Sequence, residues 1–394
     1  MQYINDIDND LLGLIAHIGN LDDNNERIRL YEEYRGFLID YSMYFVDEFF
    51  GVDKANFLNR FASLNYDANS LFYNNKLLCV NNDVLTMRDK GKNYISKFQP
   101  YISFDLNIIS QLKYLKTNEQ DFALKETIKM CKSTVCVFDC INFGIENFMK
   151  DPDNLGLDEY AIEDMRNFES MFPYVDCDTG KIVPIDKRMA SLINMYKDPK
   201  YINVIKSLYE KYYLVELIYL MSMIYIHFKH YKLSAKNKFE KFLEFCDKDI
   251  MLFHPCAINL AKMFYENLEL RFFKKIQKNK KNLIGDIKNM AWDLFHLRFM
   301  EESIQSAHKD KSILQIPIFI SKDKGLNGIR NAYQIKCLFK NNTTGQCQFF
   351  YKMNSLTQEQ IFKFFNVESV NRRMSASHDM EATIKGLEFL LSKI

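Results

Sequence analysis

The fold of this chain is decided by the stretch Pro100-Tyr101-Ile102-Ser103-Phe104-Asp105-Leu106-Asn107-Ile108-Ile109-Ser110. Its first half reads as an apolar β-strand that ends at an aspartate, and its second half turns directly into a helix. In an open α/β sheet, ligands gather at the carboxyl ends of the strands, so a carboxylate placed there faces a crevice and not the core. Asp105 is therefore the first candidate for chemistry.

The composition indicates a globular protein with reduced thiols. At 394 residues, 47% of them hydrophobic, the chain can bury sizeable cores and hold two or three average domains. The 52 Lys and Arg residues balance 51 Asp and Glu residues, so the whole chain has no electrostatic footprint for nucleic acid. Nine Cys form no CxxC pair and do not cluster with the seven His, which argues against structural zinc and a secreted disulfide framework. We expect a cytoplasmic location.

The sequence predicts no membrane segment. The acidic N-terminus does not read as a secretory signal. The apolar run over 214–227 contains Glu216 and, at about 14 residues, is shorter than the roughly 20 that a bilayer requires. We interpret it as a buried helix.

Apolar periodicity and chain breaks divide the sequence into four parts. The N-terminal part is predicted to be helical and to end in a short hairpin, because Asn81-Asn82-Asp83 separates two alternating runs. The C-terminal part has a strand over 347–351, followed by helices from Thr357 and Asp379 that we expect to pack on the core. The predicted parts are the N-terminal region 1–98, the α/β core 99–150 and 250–340, the helical insertion 151–249 and the C-terminal part 341–394.

Three further acidic residues are candidates for the same site. Two of them follow predicted strands, and the third lies on the helix after one of these strands. A β-branched strand ends at Asp139, which competes with Asp105 for the same crevice. Glu146 lies among apolar residues of the next helix; buried and ionised it needs a partner, and a solvent-facing position is the alternative. The strand predicted over 315–321 leads to Asp323 in a tight turn, which repeats the arrangement at Asp105. Asp105 and Asp323 would face each other if their strands are neighbours.

A helix predicted over 282–303 carries two more aspartates. Asp286 and Asp293 are seven residues apart, which puts both carboxylates on one face of the helix. His296 follows Asp293 by three, so it is either a metal ligand or, as is more common, a structural histidine. An aspartate at a helix start can also simply favour the helix dipole.

A basic run follows the amphipathic helix that is predicted over 257–276. Such a run is either a solvated face or a site of contact with phosphate backbone, and the sequence leaves both open. The candidate nucleic-acid-binding residues are Lys274, Lys275, Lys278, Lys280, Lys322 and Arg298.

Four segments, over 102–110, 143–148, 292–298 and 318–326, together resemble the PIN or PIN-like nuclease superfamily. The resemblance implies a Rossmann-like α/β/α sandwich with a central, mainly parallel sheet, here elaborated by N-terminal helices and a large helical insertion. It implies four residues that are both catalytic and metal ligands, namely Asp105, Glu146, Asp293 and Asp323. Asn107 would support Asp105, and Asp139 and Asp286 are further supporting candidates without a family counterpart.

The same resemblance implies a Mg²⁺- or Mn²⁺-dependent endonuclease that acts on RNA more often than on DNA, because RNA is the commoner substrate of the family. It also implies a role as a toxin or an anti-phage defence effector, which many such nucleases have. These ions prefer oxygen ligands, and clustered carboxylates repel each other unless a cation lies between them. A bound ion activates water for attack on a phosphodiester. The sequence has no nucleophile elbow and no Walker loop. Two alternatives stay open, a PIN-like scaffold without catalysis and a helical interaction module within a larger complex.

Overall fold

A computed structural model describes residues 2–47, 67–72, 76–91, 98–116, 122–132, 136–176, 179–305, 314–352 and 355–394. These residues form an α/β protein with two four-stranded sheets, one mainly parallel and one antiparallel. The strands are β1 (Tyr41–Asp47), β2 (Asp67–Asn69), β3 (Lys76–Val80), β4 (Phe98–Phe104), β5 (Val137–Asp139), β6 (Leu314–Ser321), β7 (Ile335–Asn341) and β8 (Cys347–Tyr351).

Helices surround both sheets. In chain order they are α1 (Gln2–Asn20), α2 (Asn24–Glu33), α3 (Asn82–Asp89), α4 (Leu106–Ile109), α5 (Phe122–Lys132), α6 (Ile141–Phe148), α7 (Glu159–Met171), α8 (Ile185–Met195), α9 (Pro199–Leu208), α10 (Val215–Lys229), α11 (Ala235–Phe245), α12 (Pro255–Glu266), α13 (Leu283–Gln305), α14 (Lys324–Ile329), α15 (Gln358–Phe364), α16 (Val367–Ser375) and α17 (Met380–Ser392). Within the described ranges, no helix has the length and hydrophobicity needed to cross a membrane.

The mainly parallel sheet has the strand order β2-β6-β4-β5. β4 pairs in parallel with both β6 and β5, and β2 adds an antiparallel edge to β6. The predicted strands before Asp105 and Asp323 are therefore confirmed, and they are neighbours. Every residue of β6 is buried, which agrees with its continuous apolar sequence.

Two prolines fit this sheet because its outer strands are short. Proline has no N–H for a ladder hydrogen bond, so it needs a strand side without a partner. On the β5 side, β4 is paired only over 101–103, which leaves Pro100 beyond that pairing. On the β2 side, β6 is paired only over 319–321, which leaves Pro317 free of it. The shortness of β2 and β5 thus permits prolines in the two central strands.

The second sheet corrects the prediction for the N-terminal region. The expected helical stretch becomes β1 from Tyr41 on, and β1 pairs antiparallel with β3 and β7. Met43 and Phe45 pack in a small N-terminal core, whereas Tyr44 packs in the main core. Because both faces of β1 are buried, its apolar residues run on without alternation and imitate helical spacing.

The predicted hairpin is also wrong, since its second half is the helix α3. The side chain of Asn81 accepts a hydrogen bond of 2.8 Å from the backbone N–H of Val84, so this polar group caps a helix and does not form a turn. The strand prediction over 347–351 is confirmed as β8, which pairs with β7, a strand that the sequence analysis did not predict.

The helical insertion is confirmed as helical, with α7 to α11 following the break after α6. Its apolar run forms α10, a buried helix that packs against α13 and α17. The helix expected over 257–276 ends at Glu266, and the basic run after it contains only a short 3₁₀ turn over 271–273. The basic residues therefore lie on a loop.

A close contact between α6 and the residue that follows α8 provides the first test of this packing. A Cβ added to Gly144 would lie 1.9 Å from Oη of Tyr196, which is buried. We expect Gly144→Ala to lower the free energy of unfolding by about 1–3 kcal/mol because the ring must shift. Urea denaturation would measure it, with Gly13→Ala as control, since nothing lies within 4 Å of a Cβ at Gly13. Equal stability of the two variants would contradict the described contact.

Candidate functional site

Two aspartates lie side by side at the carboxyl edge of the parallel sheet. Asp105 follows β4 directly, and its backbone N–H donates to the carbonyl of Ile320, which extends the ladder by one residue. Asp323 follows β6 by two residues and begins α14, where its Oδ1 accepts the N–H of Gly325 at 2.7 Å. The parallel pairing of β4 with β6 thus brings together two of the predicted acids.

Ser321 connects these two aspartates. Its hydroxyl donates to Oδ2 of Asp105 at 2.9 Å and accepts the backbone N–H of Asp323 at 2.9 Å. Asn107 also donates to Oδ2 of Asp105, at 3.3 Å, as the sequence analysis expected of a supporting residue. Both bonds end on Oδ2, so neither uses Oδ1. Burial raises the pKa of Asp105, while His296 and these two hydrogen bonds act in the opposite direction.

Glu146 and His296 form the second pair of the site. Oε2 of Glu146 on α6 lies 2.9 Å from Nε2 of His296 on α13. Glu146 therefore has the compensating partner that a glutamate among apolar residues requires. Burial alone would lower the pKa of His296, but the hydrogen bond and charge of Glu146, with Asp105 and Asp293, outweigh burial and raise it.

Asp293 is the fourth acid, and it lies in the middle of α13 and not at a helix start. Asp293 forms an ion pair with Lys275, whose Nζ is 3.6 Å from Oδ2 of Asp293. The pKa of Asp293 is raised to about 7: burial and the charges of Asp105 and Asp323 raise it, and Lys275 and His296 lower it. These mutual effects indicate that the four predicted acids share one electrostatic environment, although they come from four separate segments.

The structure does not bring the two other acidic candidates to this cluster. Asp139 is buried, its Oδ1 turns back to accept the N–H of Ile141, and its charged neighbours are Arg188 and Glu169. Burial raises the pKa of Asp139 to about 7. Asp286 instead pairs with Lys280 at 2.7 Å.

Arg298 requires a correction among the basic candidates. It is only 4% exposed and forms ion pairs with Glu216 at 3.0 Å and Glu301 at 2.8 Å, so it is not accessible to nucleic acid. Lys322 is half-buried and donates to Gln111.

The remaining basic candidates lie on the loop after α12. Lys274, Lys278 and Lys280 are exposed, and Lys275 is half-buried against Asp293. Lys280 takes part in the ion pair with Asp286, and Lys278 lies 6.0 Å from the ring centroid of Tyr231. Lys275 therefore connects the basic loop to the acidic cluster.

The donor atoms of the cluster suit a hard divalent cation in their chemistry. Four carboxylates supply oxygen ligands, and the pKa of Asp293 is raised first by burial and then by the negative charges of Asp105 and Asp323, which a bound cation would offset. The described residues nevertheless contain no group of three or more His, Cys, Asp or Glu side chains arranged so that it could hold an ion as it stands. The cluster therefore has the composition and charge of a metal site but not a closed ligand shell among the described residues.

The sequence analysis missed the linking role of Ser321 and the pairing of His296 with Glu146. A signal for each was present, since Ser321 is two residues before Asp323 and His296 is one helical turn from Asp293. Comparisons of this chain with protein families, with curated proteins and with solved structures find no match. The resemblance to PIN-like nucleases therefore rests on the four sequence segments alone.

Proposed function

We propose that this chain is a Mg²⁺- or Mn²⁺-dependent endonuclease that cleaves phosphodiester bonds, in RNA more readily than in DNA. One observation carries the proposal: Asp105 and Asp323 lie at the carboxyl edge of a parallel sheet, and burial together with the charges of Glu146 on Asp105 and of Asp105 and Asp323 on Asp293 raises the pKa values of Asp105 and Asp293. Ligands bind at this edge of open α/β sheets. The preference for RNA comes from the resemblance alone.

The carboxylates of Asp105, Glu146, Asp293 and Asp323 would hold the ion. When bound, the ion would supply a water of lowered pKa and stabilise negative charge on the phosphate. Ser321 and Asn107 keep the Asp105 carboxylate oriented by their hydrogen bonds to Oδ2. This preorganisation reduces the reorganisation needed at the site.

Lys275 supports a role for phosphate binding next to the acids. Its ammonium group lies against Asp293, and the exposed Lys274 and Lys278 lie on the same loop. A cation that neutralises Asp293 would leave the Lys275 charge available to an anion. The loop thus offers a contact with the nucleic-acid backbone beside the proposed reaction centre.

A reducing compartment is the proposed location. The cysteines that the structure describes with their side chains are all free thiols, and several of them are buried. Persistent disulfides are typical of oxidising compartments, and reduced cysteines of the cytoplasm. The absence of disulfides among these residues therefore supports a cytoplasmic site of action.

The test is cleavage of labelled single-stranded RNA, tRNA and DNA in Mn²⁺, Mg²⁺ or EDTA. We expect cleavage only with metal, and a loss of at least about 100-fold in Asp105→Asn and Asp293→Asn, since each removes an electrostatic contact to the reaction centre. Asp286→Asn is the matched control, because Asp286 is on the same helix but pairs with Lys280. Cleavage that survives EDTA or both active-site variants would refute the proposal, and no cleavage of any substrate would favour the scaffold.

A further inference from the structure

The imidazole of His296 is held in a fixed orientation beside the acidic cluster. It is 2% exposed, and its ring stacks on Phe319 of β6 with a centroid distance of 4.8 Å and an interplanar angle of 18°. The ring of Phe295 contacts it edge-on at 5.5 Å. The plane of the imidazole is therefore set by the same strand that ends at Ser321.

His296 makes one directed polar contact. Its Nε2 lies 2.9 Å from Oε2 of Glu146, whereas its Nδ1 is buried and has no hydrogen-bond partner in the described part of the protein. An ionised carboxylate has no proton, so it can accept a hydrogen bond but cannot donate one. Nε2 of His296 therefore carries a proton and donates this hydrogen bond to Glu146. The polar anchoring of the ring is thus directed at Glu146 alone.

Glu146 depends on this contact in return. Its side chain is 19% exposed, and His296 is the only hydrogen-bond or ion-pair partner of its carboxylate among the residues that the structure describes. A glutamate side chain has several rotamers. If no contact holds one of them beforehand, ligand binding must restrict the side chain to a single rotamer, which costs conformational entropy. Burial raises the pKa of Asp105 and the charge of Glu146 raises it further, so the Glu146 carboxylate lies close enough to interact with the cluster.

We propose that His296 is a positioning residue, whose Nε2–H fixes the Glu146 carboxylate in the orientation that completes the cation-binding cluster. This inference rests on the proposed function, because the orientation of Glu146 matters only if the cluster binds a cation. Groups that orient metal ligands through hydrogen bonds commonly change metal affinity by about 10–100-fold when they are removed. His296 would act in this way through Glu146 and without touching the substrate.

Three substitutions separate the hydrogen bond from the packing. His296→Phe keeps a ring against Phe319 but removes the donor. His296→Gln keeps an amide N–H near the position of Nε2, and His296→Asn has its amide near Nδ1, where Glu146 is out of reach. His254→Phe is the control for loss of a histidine elsewhere, since His254 caps α12 through Nδ1 and the backbone N–H of Cys256.

The experiment measures the Mn²⁺ concentration that gives half of the maximal thermal stabilisation of the full chain. We expect His296→Phe and His296→Asn to raise this concentration by about 10–100-fold, and His296→Gln to restore most of the affinity. His254→Phe should leave it unchanged, whatever its own melting temperature. In a Glu146→Gln background, His296→Phe should have no further effect, since the partner is already altered. If His296→Phe does not fold, the Gln and Asn variants make the same comparison.

The outcomes distinguish this inference from the proposed function. Asp105→Asn is titrated in parallel and should lose the Mn²⁺ stabilisation. If it does and His296→Phe keeps the wild-type midpoint, the positioning role is refuted while the metal site stands. An equal effect of His296→Phe with and without Glu146→Gln also refutes it, because His296 would then not act through Glu146. If neither wild type nor Asp105→Asn responds to Mn²⁺, both proposals fail.

Discussion

Arg298→Met is expected to lower the free energy of unfolding by about 3–5 kcal/mol, because it leaves two buried carboxylates without their cation. Arg298 donates from Nη1 to Glu216 at 3.0 Å and from Nε to Glu301 at 2.8 Å. Tyr333 donates to the second oxygen of Glu216 at 3.1 Å, and Tyr351 donates to Glu301. Burial raises the pKa of Glu216, and Arg298 opposes that rise.

This network joins the helical insertion to the rest of the protein. Glu216 belongs to α10, Arg298 and Glu301 to α13, and Tyr351 to β8. Methionine keeps an unbranched apolar stem in place of the arginine stem, so the variant removes the guanidinium group while part of the packing is kept. Loss of the arginine should therefore weaken the attachment of α10 to α13.

Urea denaturation of wild type and Arg298→Met would measure the change. The double variant Arg298→Met/Glu216→Gln should recover part of the loss, because one of the two stranded charges is gone. Lys274→Met is the matched control, since Lys274 is exposed and its loss should cost little. A change below about 1 kcal/mol in Arg298→Met would mean that the buried pairs are not the stabilising contacts described here.

The same arginine shows why part of the site could not be predicted from sequence. Arg298 stands after a basic run and near Asp293, which made a phosphate contact reasonable. Its partner Glu216 is 82 residues away in the chain, and no local pattern reveals that pairing. The acids after strands were predictable because a strand followed by an aspartate is a local pattern, and the parallel pairing of β4 with β6 then brings Asp105 and Asp323 together.

The antiparallel sheet was not predicted for the same reason, because its strands come from distant parts of the chain. Tyr44 of β1 pairs with Leu338 of β7. The two central strands of this sheet therefore come from opposite ends of the chain. Apolar periodicity describes each strand alone, and when both faces are buried it loses the alternation that identifies a strand. The polar group at Asn81 was equally ambiguous, because Asn, Asp and Ser favour both turns and helix starts.

Asp293 should make the metal-free protein less stable as the pH rises. Its pKa is about 7 in the folded protein, above its ordinary value of 3.8, because of burial and the charges of Asp105 and Asp323. The folded state therefore binds this proton more tightly than the unfolded state, and stability falls as the pH rises from about 4 to 7. At 1.36 kcal/mol per pKa unit, the loss is on the order of 4 kcal/mol.

Urea denaturation in EDTA at pH 5 and pH 8 would test this with wild type and Asp293→Asn. The asparagine cannot ionise, so the variant should gain stability relative to wild type as the pH rises, and most of the gain should appear by pH 8. Asp139 also has a pKa of about 7, but it is present in both proteins and cancels in the difference. Asp286→Asn, on the same helix and paired with Lys280, should follow the wild-type curve.

Mn²⁺ should reverse the order of stability of wild type and Asp293→Asn at high pH. A cation favours the ionised carboxylate, so saturating Mn²⁺ should stabilise wild type most at pH 8 and stabilise Asp293→Asn far less. In EDTA the Asp293→Asn variant would be more stable than wild type. In Mn²⁺ wild type would be more stable than the variant. If the difference between the proteins is the same at both pH values and in both solutions, Asp293 neither carries the strained charge nor binds the ion, and the metal site loses its main physical support.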